Sequence, residues 1–131
     1  VSDSQLPQDR MPVLRLPATP KDVNPAGSMF GGWIMSCVDI AGSIPAEMRA
    51  RGPIVTRAVE AFEFKKPVLV GDIISLYADI VSVGRSSIKV DVTVYAQRIR
   101  KGVISTIKVT EAVVIYVAID EQGRPRMLPK E

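Results

Sequence analysis

The residues best placed to do chemistry lie in one stretch, NPAGSMFGGWIMSCVDIAGSIPAEMRAR, from Asn24 to Arg51, where a glycine pair, Gly31-Gly32, comes seven residues before Asp39. Between Phe30 and Met48 the apolar residues Phe30, Trp33, Ile34, Met35, Cys37, Val38, Ile40, Ala41, Ile44 and Ala46 cover almost the whole circumference of a helix, which predicts a helix buried within a fold. The polar exceptions Ser36, Asp39, Ser43 and Glu47 follow at steps of three, four and four and form one narrow stripe. A carboxylate in that setting must be paired, hydrogen-bonded or turned to a wet cavity, because burying an isolated charge is costly. Such a group is a poised acid or base. The glycines offer the complementary half, since bare backbone leaves the first N–H groups of the helix open to an oxygen atom or anion.

Composition narrows the chemistry further. The 131 residues contain no histidine and a single cysteine, Cys37. Without histidine there is no Ser-His-Asp set and no H-E-x-x-H zinc helix, and one cysteine makes neither a disulfide nor a zinc cluster. Enzyme chemistry falls to carboxylates, backbone dipoles, lysine or tyrosine. Cys37 sits about 200° around the helix from Asp39 and reads as a small buried apolar residue. The net charge of +3 and an aromatic content of 5% give neither a basic stripe nor a row of stacking surfaces for nucleic acid. No apolar run reaches the length of a membrane span, and VSDSQLPQDR has no signal-peptide pattern, so a soluble, cytoplasmic protein without membrane partners is expected.

The elements that must position these residues follow in order. Residues 1–10 read as a loose lead-in, 11–128 as one domain and 129–131 as a tail. Met11–Leu16 suits a short strand, and ATPKDVNPAG is turn-rich. The helix contains Pro45, expected to kink it, and Gly52-Pro53 closes it. After that the pattern is strand: Ile54–Phe64, Ile73–Val83, a hairpin turn at Val83–Ser87, and an alternating run through Ile88, Val90, Val92 and Val94. QRIRKG, residues 97–102, reads as a basic loop, and Ile104–Ile119 as a strand apolar on both faces and therefore central. One long helix and a set of long strands imply an α+β architecture, a curved antiparallel sheet wrapped around the helix.

The motifs N-x-x-G-x-x-F-G-G-W-I-M-S at Asn24–Ser36, Asp39, F-x-K-P-V-x-V-G-D at Phe64–Asp72, V-G-R-S-S-I-K at Val83–Lys89, T-E-A at Thr110–Ala112 and Y-V-A-I-D-x-x-G-R-P-R at Tyr116–Arg126 closely resemble the hotdog-fold acyl-CoA thioesterases of the YciA type. The resemblance spans roughly Leu14 to Leu128. It implies the hotdog fold and hydrolysis of acyl-CoA to coenzyme A and a carboxylic acid. It further implies a homodimer with interfacial sites or a trimer of such dimers, and no metal or other cofactor. Position 28, usually aspartate or asparagine in that family, is Ser28 here, which implies attenuated activity. A non-catalytic acyl-CoA sensor is the alternative. A histidine-dependent hotdog dehydratase is excluded by composition.

Thioester hydrolysis needs a base for water and donors for the oxyanion. Asp39 fits the first role, and the N–H groups of Gly31 and Gly32 fit the second. Those groups share a helix face but stand about 10 Å apart along the axis, so two antiparallel helices are needed to bring them together. The structural alternative for Asp39 is an ion pair or hydrogen bond within the core. Asn24 suits either a substrate contact or a turn, and Ser28 either water orientation or a helix cap. Coenzyme A phosphates need basic groups and open N–H donors, for which Gly84, Arg85, Ser86 and Ser87 are suited, with Arg57, Lys65, Lys66, Arg124 and Arg126 as further candidates. Phe30, Trp33 and Thr110 are the acyl-pocket candidates. Glu60 and Glu111 are expected to pair with Arg57 or Lys108 across the sheet.

Overall fold

β-Branched and aromatic runs separated by Gly-containing turns produce a single antiparallel sheet, and the small-residue face of one helix packs onto it. The computed structural model describes residues 4–131. Its elements are β1 (Leu14–Pro17), a short 3-10 turn (Pro20–Asp22), α1 (Gly31–Ala50), β2 (Ile54–Phe64), β3 (Ile73–Val83), β4 (Ser87–Arg100) and β5 (Val103–Ala118). The strand order is β1-β3-β4-β5-β2, and every neighbouring pair is antiparallel. The α+β hotdog arrangement expected from the sequence is present, with β5 inside the sheet as its doubly apolar pattern requires.

Two local expectations are corrected, one for residues 97–102 and one for the first strand. The residues QRIRKG do not form a loop: β4 runs on to Arg100, Gln97 and Arg98 pair with Thr106 and Ser105, and only Lys101-Gly102 turns. Both turn residues have positive φ, 51° and 77°, the geometry of a tight hairpin turn. The helix continues through Pro45 to Ala50 and stops at Arg51, whose left-handed conformation and N–H to the Glu47 carbonyl end it. The first strand runs Leu14–Pro17 and does not begin at Met11.

The expected burial of α1 on all sides is also corrected. Ile34, Cys37, Val38, Ala41, Gly42, Ala46 and Ala50 face the sheet and are buried. On the other side Phe30 is 51% exposed, Ile40 54% and Met48 76%. The apolar pattern was complete, and a single chain covers half of it. A second unfinished surface adjoins the first: β2 is an edge strand of 11 residues whose outer side pairs with nothing among the described residues. Long exposed strand edges are pairing templates.

Elsewhere the fold is closed. Asp72 is 1% exposed, and Arg98 grips it through two hydrogen bonds of 2.8 Å while the Leu69 N–H supplies a third at 2.9 Å. That grip raises the Arg98 pKa further. Arg10, in the lead-in that begins outside the described residues, pairs with Asp79 at 2.7 Å and lies over the Tyr77 ring. The far end is tied down as well, with Leu128 in the core and Arg49 bonded to the Pro129 carbonyl. No described helix is long and apolar enough to cross a membrane.

Candidate active site

Asp39 is half-buried on the open side of α1, and β2 and β5 hold it from below. The Thr56 hydroxyl donates to Asp39 Oδ1 at 2.6 Å, and the Tyr116 hydroxyl donates to the Asp39 main-chain oxygen at 2.6 Å. Oδ2 makes no hydrogen bond with the described residues, so one carboxylate oxygen is fixed and the other is free to accept a proton. Burial pushes the Tyr116 phenol far above its usual range, and the neighbouring Asp39 adds to the shift. Tyr116 is therefore a neutral donor at any ordinary pH. Gly42 makes this contact possible, since a Cβ there would stand 2.5 Å from the Tyr116 hydroxyl. A pocket of about 140 Å³ opens at Asp39, Ser43, Thr56 and Tyr116.

The helix start is shaped by Asn24. Its Oδ1 accepts the N–H groups of Ala26 and Ser28 at 2.9 and 3.1 Å, and its Nδ2 donates to Ser28 Oγ at 2.9 Å. Asn24 is thus the organiser of the turn. Ser28 is its partner and not a cap: the N-cap position is Phe30, with no side-chain bond. The Met29 N–H binds the Val68 carbonyl and fixes the turn to the β2–β3 connection. Trp33 and Ile34 donate back to Phe30, which leaves the N–H groups of Gly31 and Gly32 without a partner among the described residues. Gly31 lies under the Phe64 ring, where a Cβ would approach to 2.9 Å. Gly32 has no atom within 4 Å of a Cβ position, so no contact within the chain requires its bareness. Beside it a cleft of about 360 Å³ is lined by Ser28, Gly31, Ile34, Phe64, Lys66 and Val68.

The basic candidates separate into two groups. Arg57 and Ser86 line a groove of about 380 Å³ with Thr56, Gly123 and Pro125, and Arg85 and Arg124 are exposed beside it. Gly84 and Ser87 close the hairpin, with the Gly84 N–H on the Ser87 carbonyl at 2.8 Å. Arg126 is a structural clamp: its guanidinium donates to the carbonyls of Ile119, Ala50 and Pro53, joining the end of α1 to the start of β2. Lys65 and Lys66 belong to the other end, at the cleft below Gly31, and Lys65 pairs with Glu111 at 3.6 Å.

Of the acyl-pocket candidates, Trp33 packs against the core and Phe30 is exposed. Thr110 is fully buried with its hydroxyl on the Glu63 carbonyl, and it lines neither the cleft at Gly31 nor the pocket at Asp39. Glu111 pairs with Lys108 three residues away on its own strand and not across the sheet, and this pairing holds its carboxyl below the usual range. Glu60 pairs with Lys89 at 3.3 Å and not with Arg57. Among the described residues no three His, Cys, Asp or Glu side chains are placed to hold a metal. Thr56, Tyr116 and Phe64 carry roles the sequence did not reveal; the signal for Tyr116 was a glycine, Gly42, in mid-helix without a local reason.

A helix packed on a five-stranded antiparallel sheet, with an aspartate on its open face and bare glycines at its start, is the hotdog arrangement. The chain belongs to the thioesterase superfamily, whose family model matches residues 26–103. Within that family it is similar to the acyl-CoA thioester hydrolase YciA of Escherichia coli, at 43% identity over 120 residues and 91% of each chain. A hexameric hotdog fold thioesterase of Campylobacter jejuni superposes with a TM-score of 0.88 at 44% identity, covering 93% of each chain. An acyl-CoA hydrolase of Staphylococcus aureus, solved in complex with butyryl coenzyme A and coenzyme A, gives 0.79 at 28% identity, over 88% of this chain and 70% of that one. Forms of the latter have been solved with an asparagine and an aspartate replaced by alanine, at positions fifteen residues apart, the spacing of Asn24 and Asp39.

Proposed function

We propose that this protein hydrolyses acyl-CoA thioesters at sites that two copies of the chain complete together. The observation that carries the reading is the Asp39 carboxylate, held at one oxygen by Thr56 and open at the other. Asp39 takes a proton from water as the water oxygen bonds to the thioester carbon. Charge gathering on the acyl oxygen is met by the N–H groups of Gly31 and Gly32, backed by the positive end of the helix dipole. The carbon–sulfur bond then breaks, and the proton on Asp39 passes to the departing sulfur, giving a carboxylic acid and free coenzyme A.

Gly32 and Asp39 lie seven residues apart, about 10 Å along one helix, which is too far for both to serve one carbonyl. Two antiparallel helices related by a two-fold axis set each N-terminus opposite the other's Asp39. The exposed Phe30, Ile40 and Met48 side chains and the free edge of β2 supply the surfaces for that pairing. Hexameric assembly of the Campylobacter jejuni protein supports a trimer of such dimers. The groove at Arg57 and Ser86, with Arg85 and Arg124 at its rim, takes the phosphates of coenzyme A.

The test is release of free thiol from a panel of acyl-CoA esters, followed with a thiol reagent, for the parent protein and Asp39→Asn. Steady release by the parent and its near-complete loss in the variant are expected. A parent that binds acyl-CoA without turnover would identify a sensor instead.

A further inference from the structure

The V-G-D segment at residues 70–72 and Arg98 of the QRIRKG run lie outside the Asp39 pocket, yet they meet in an ion pair whose carboxylate is buried. Such a pair adds little stability over apolar residues of the same volume, so its presence points to a demand for geometry. The geometry is a clasp. Asp72 Oδ1 and Oδ2 each accept from the Arg98 guanidinium at 2.8 Å, and Oδ2 also accepts the Leu69 N–H at 2.9 Å. The Asp72 N–H returns to the Leu69 carbonyl at 3.1 Å, closing a turn in which Gly71 takes a positive φ of 91°. Both main-chain groups of Leu69 are thus held by one residue, and Arg98 fastens that residue to β4.

Leu69 is where the clasp touches the turn before α1. Ser28 and Leu69 pair as an isolated antiparallel bridge, and the next N–H, that of Met29, binds the Val68 carbonyl at 2.8 Å. Gly31 follows two residues later. Met29, Gly31, Pro67 and Val68 line one cleft together, so a shift of the 67–72 connection is carried into the direction of the Gly31 and Gly32 N–H groups. Asp39 stands about two helical turns further on, where Thr56 and Tyr116 fix it independently. On the hydrolase reading above, we infer that Asp72 and Arg98 are positioning residues that aim the N–H donors of Gly31 and Gly32 at the acyl oxygen. Those donors must lie about 3 Å from the developing oxyanion, and a misplacement of about 1 Å costs up to a hundredfold in rate.

The experiment is a set of double-mutant cycles read in kcat/KM with one medium-chain acyl-CoA. Arg98→Ala is introduced into the parent, into Gly32→Ala, where access to the donors is already lost, and into Thr56→Ala, where the base is disturbed instead. In the parent it should lower kcat/KM by about tenfold, and in Thr56→Ala by about the same factor again. In Gly32→Ala the loss should shrink to less than about twofold, because donors that are already blocked lose nothing more by being misaimed. A contribution to folding alone would lower all three by one factor, and that result overturns the inference. Parent-like activity of Arg98→Ala overturns it as well. Arg98→Lys keeps the charge and one hydrogen bond to Asp72, so the same cycle with a loss of about threefold decides the matter should Arg98→Ala fail to fold. If the parent releases no thiol from acyl-CoA, the hydrolase reading and this inference fall together; an active parent with one Arg98 factor in every background sinks this inference alone.

Discussion

The two long faces of α1 follow opposite rules. Toward the sheet the helix presents Ala41, Gly42, Ala46 and Ala50, small residues that let the strands come close, and the Tyr116 hydroxyl fills the one notch left by Gly42. Away from the sheet it presents Phe30, Ile40 and Met48 to solvent, together with Asp39 and the open N–H groups of Gly31 and Gly32. The first face is complete within one chain, and its polar groups have partners. The second leaves Phe30, Ile40, Met48 and the Gly32 backbone uncovered. Stability therefore resides on the sealed face and the proposed chemistry on the open one, and the two should respond differently to the same substitution.

The largest effect is expected at Asp39. Asp39→Asn keeps the shape of the side chain and removes the proton acceptor, so kcat should fall by about a thousandfold while the melting temperature and oligomeric state hold. Equal turnover by the variant would remove Asp39 from the base role. A matched pair of glycine changes sharpens the contrast. Gly32→Ala adds a methyl where the chain has open space, so the fold should be unaffected while kcat/KM drops by about a hundredfold through loss of access to the donors. Gly42→Ala adds the same methyl against Tyr116, and overpacking of roughly 2 kcal/mol exceeds the gain of about 1 kcal/mol in helix propensity. Denaturant unfolding should then show a loss of around 1 kcal/mol, and a stabilised Gly42→Ala would mean that the sealed face is looser than described.

Smaller changes test how Asp39 is aimed. Thr56→Ala removes the hydroxyl from Oδ1 and should lower kcat by about tenfold with little change in KM, the usual worth of one hydrogen bond to a charged group. A raised KM with unchanged kcat would make Thr56 a binding residue. Ser28→Asp places a carboxylate near the helix N-terminus within reach of the Asn24 amide, and an increase in rate of about threefold is expected from the dipole alone. Initial rates with one medium-chain acyl-CoA decide this, and a slower variant would show that the neutral hydroxyl is the better partner for Asn24.

Much of the open face was legible in the amino-acid sequence because its signals are local. Asp39 among apolar residues, Gly31-Gly32 at a helix start and the strands at 54–64 and 73–83 all stand within a few residues of what defines them. Thr56 and Tyr116 escaped notice because their partner at Asp39 lies 17 and 77 residues away, a distance only the folded sheet closes. Arg126 was read as a phosphate ligand for the same reason, since the carbonyls it clamps at Ala50 and Pro53 are remote in sequence. The uniform apolarity of α1 suggested burial on every side, yet the sheet covers only one of them and Phe30, Ile40 and Met48 stay exposed. QRIRKG looked like a loop because its charges suggested solvent, although Arg98 turns inward to Asp72.

The claim that carbonyl donors and base come from different copies is tested most directly by mixing two impaired proteins. Asp39→Asn and Gly32→Ala are each expected to be nearly inactive alone. Refolded together in equal amounts, half the dimers should be mixed, and each mixed dimer regains one intact site, so activity should return to about a quarter of the parent value. A mixture no more active than its two components would place Gly32 and Asp39 in the same site of one chain and contradict the account.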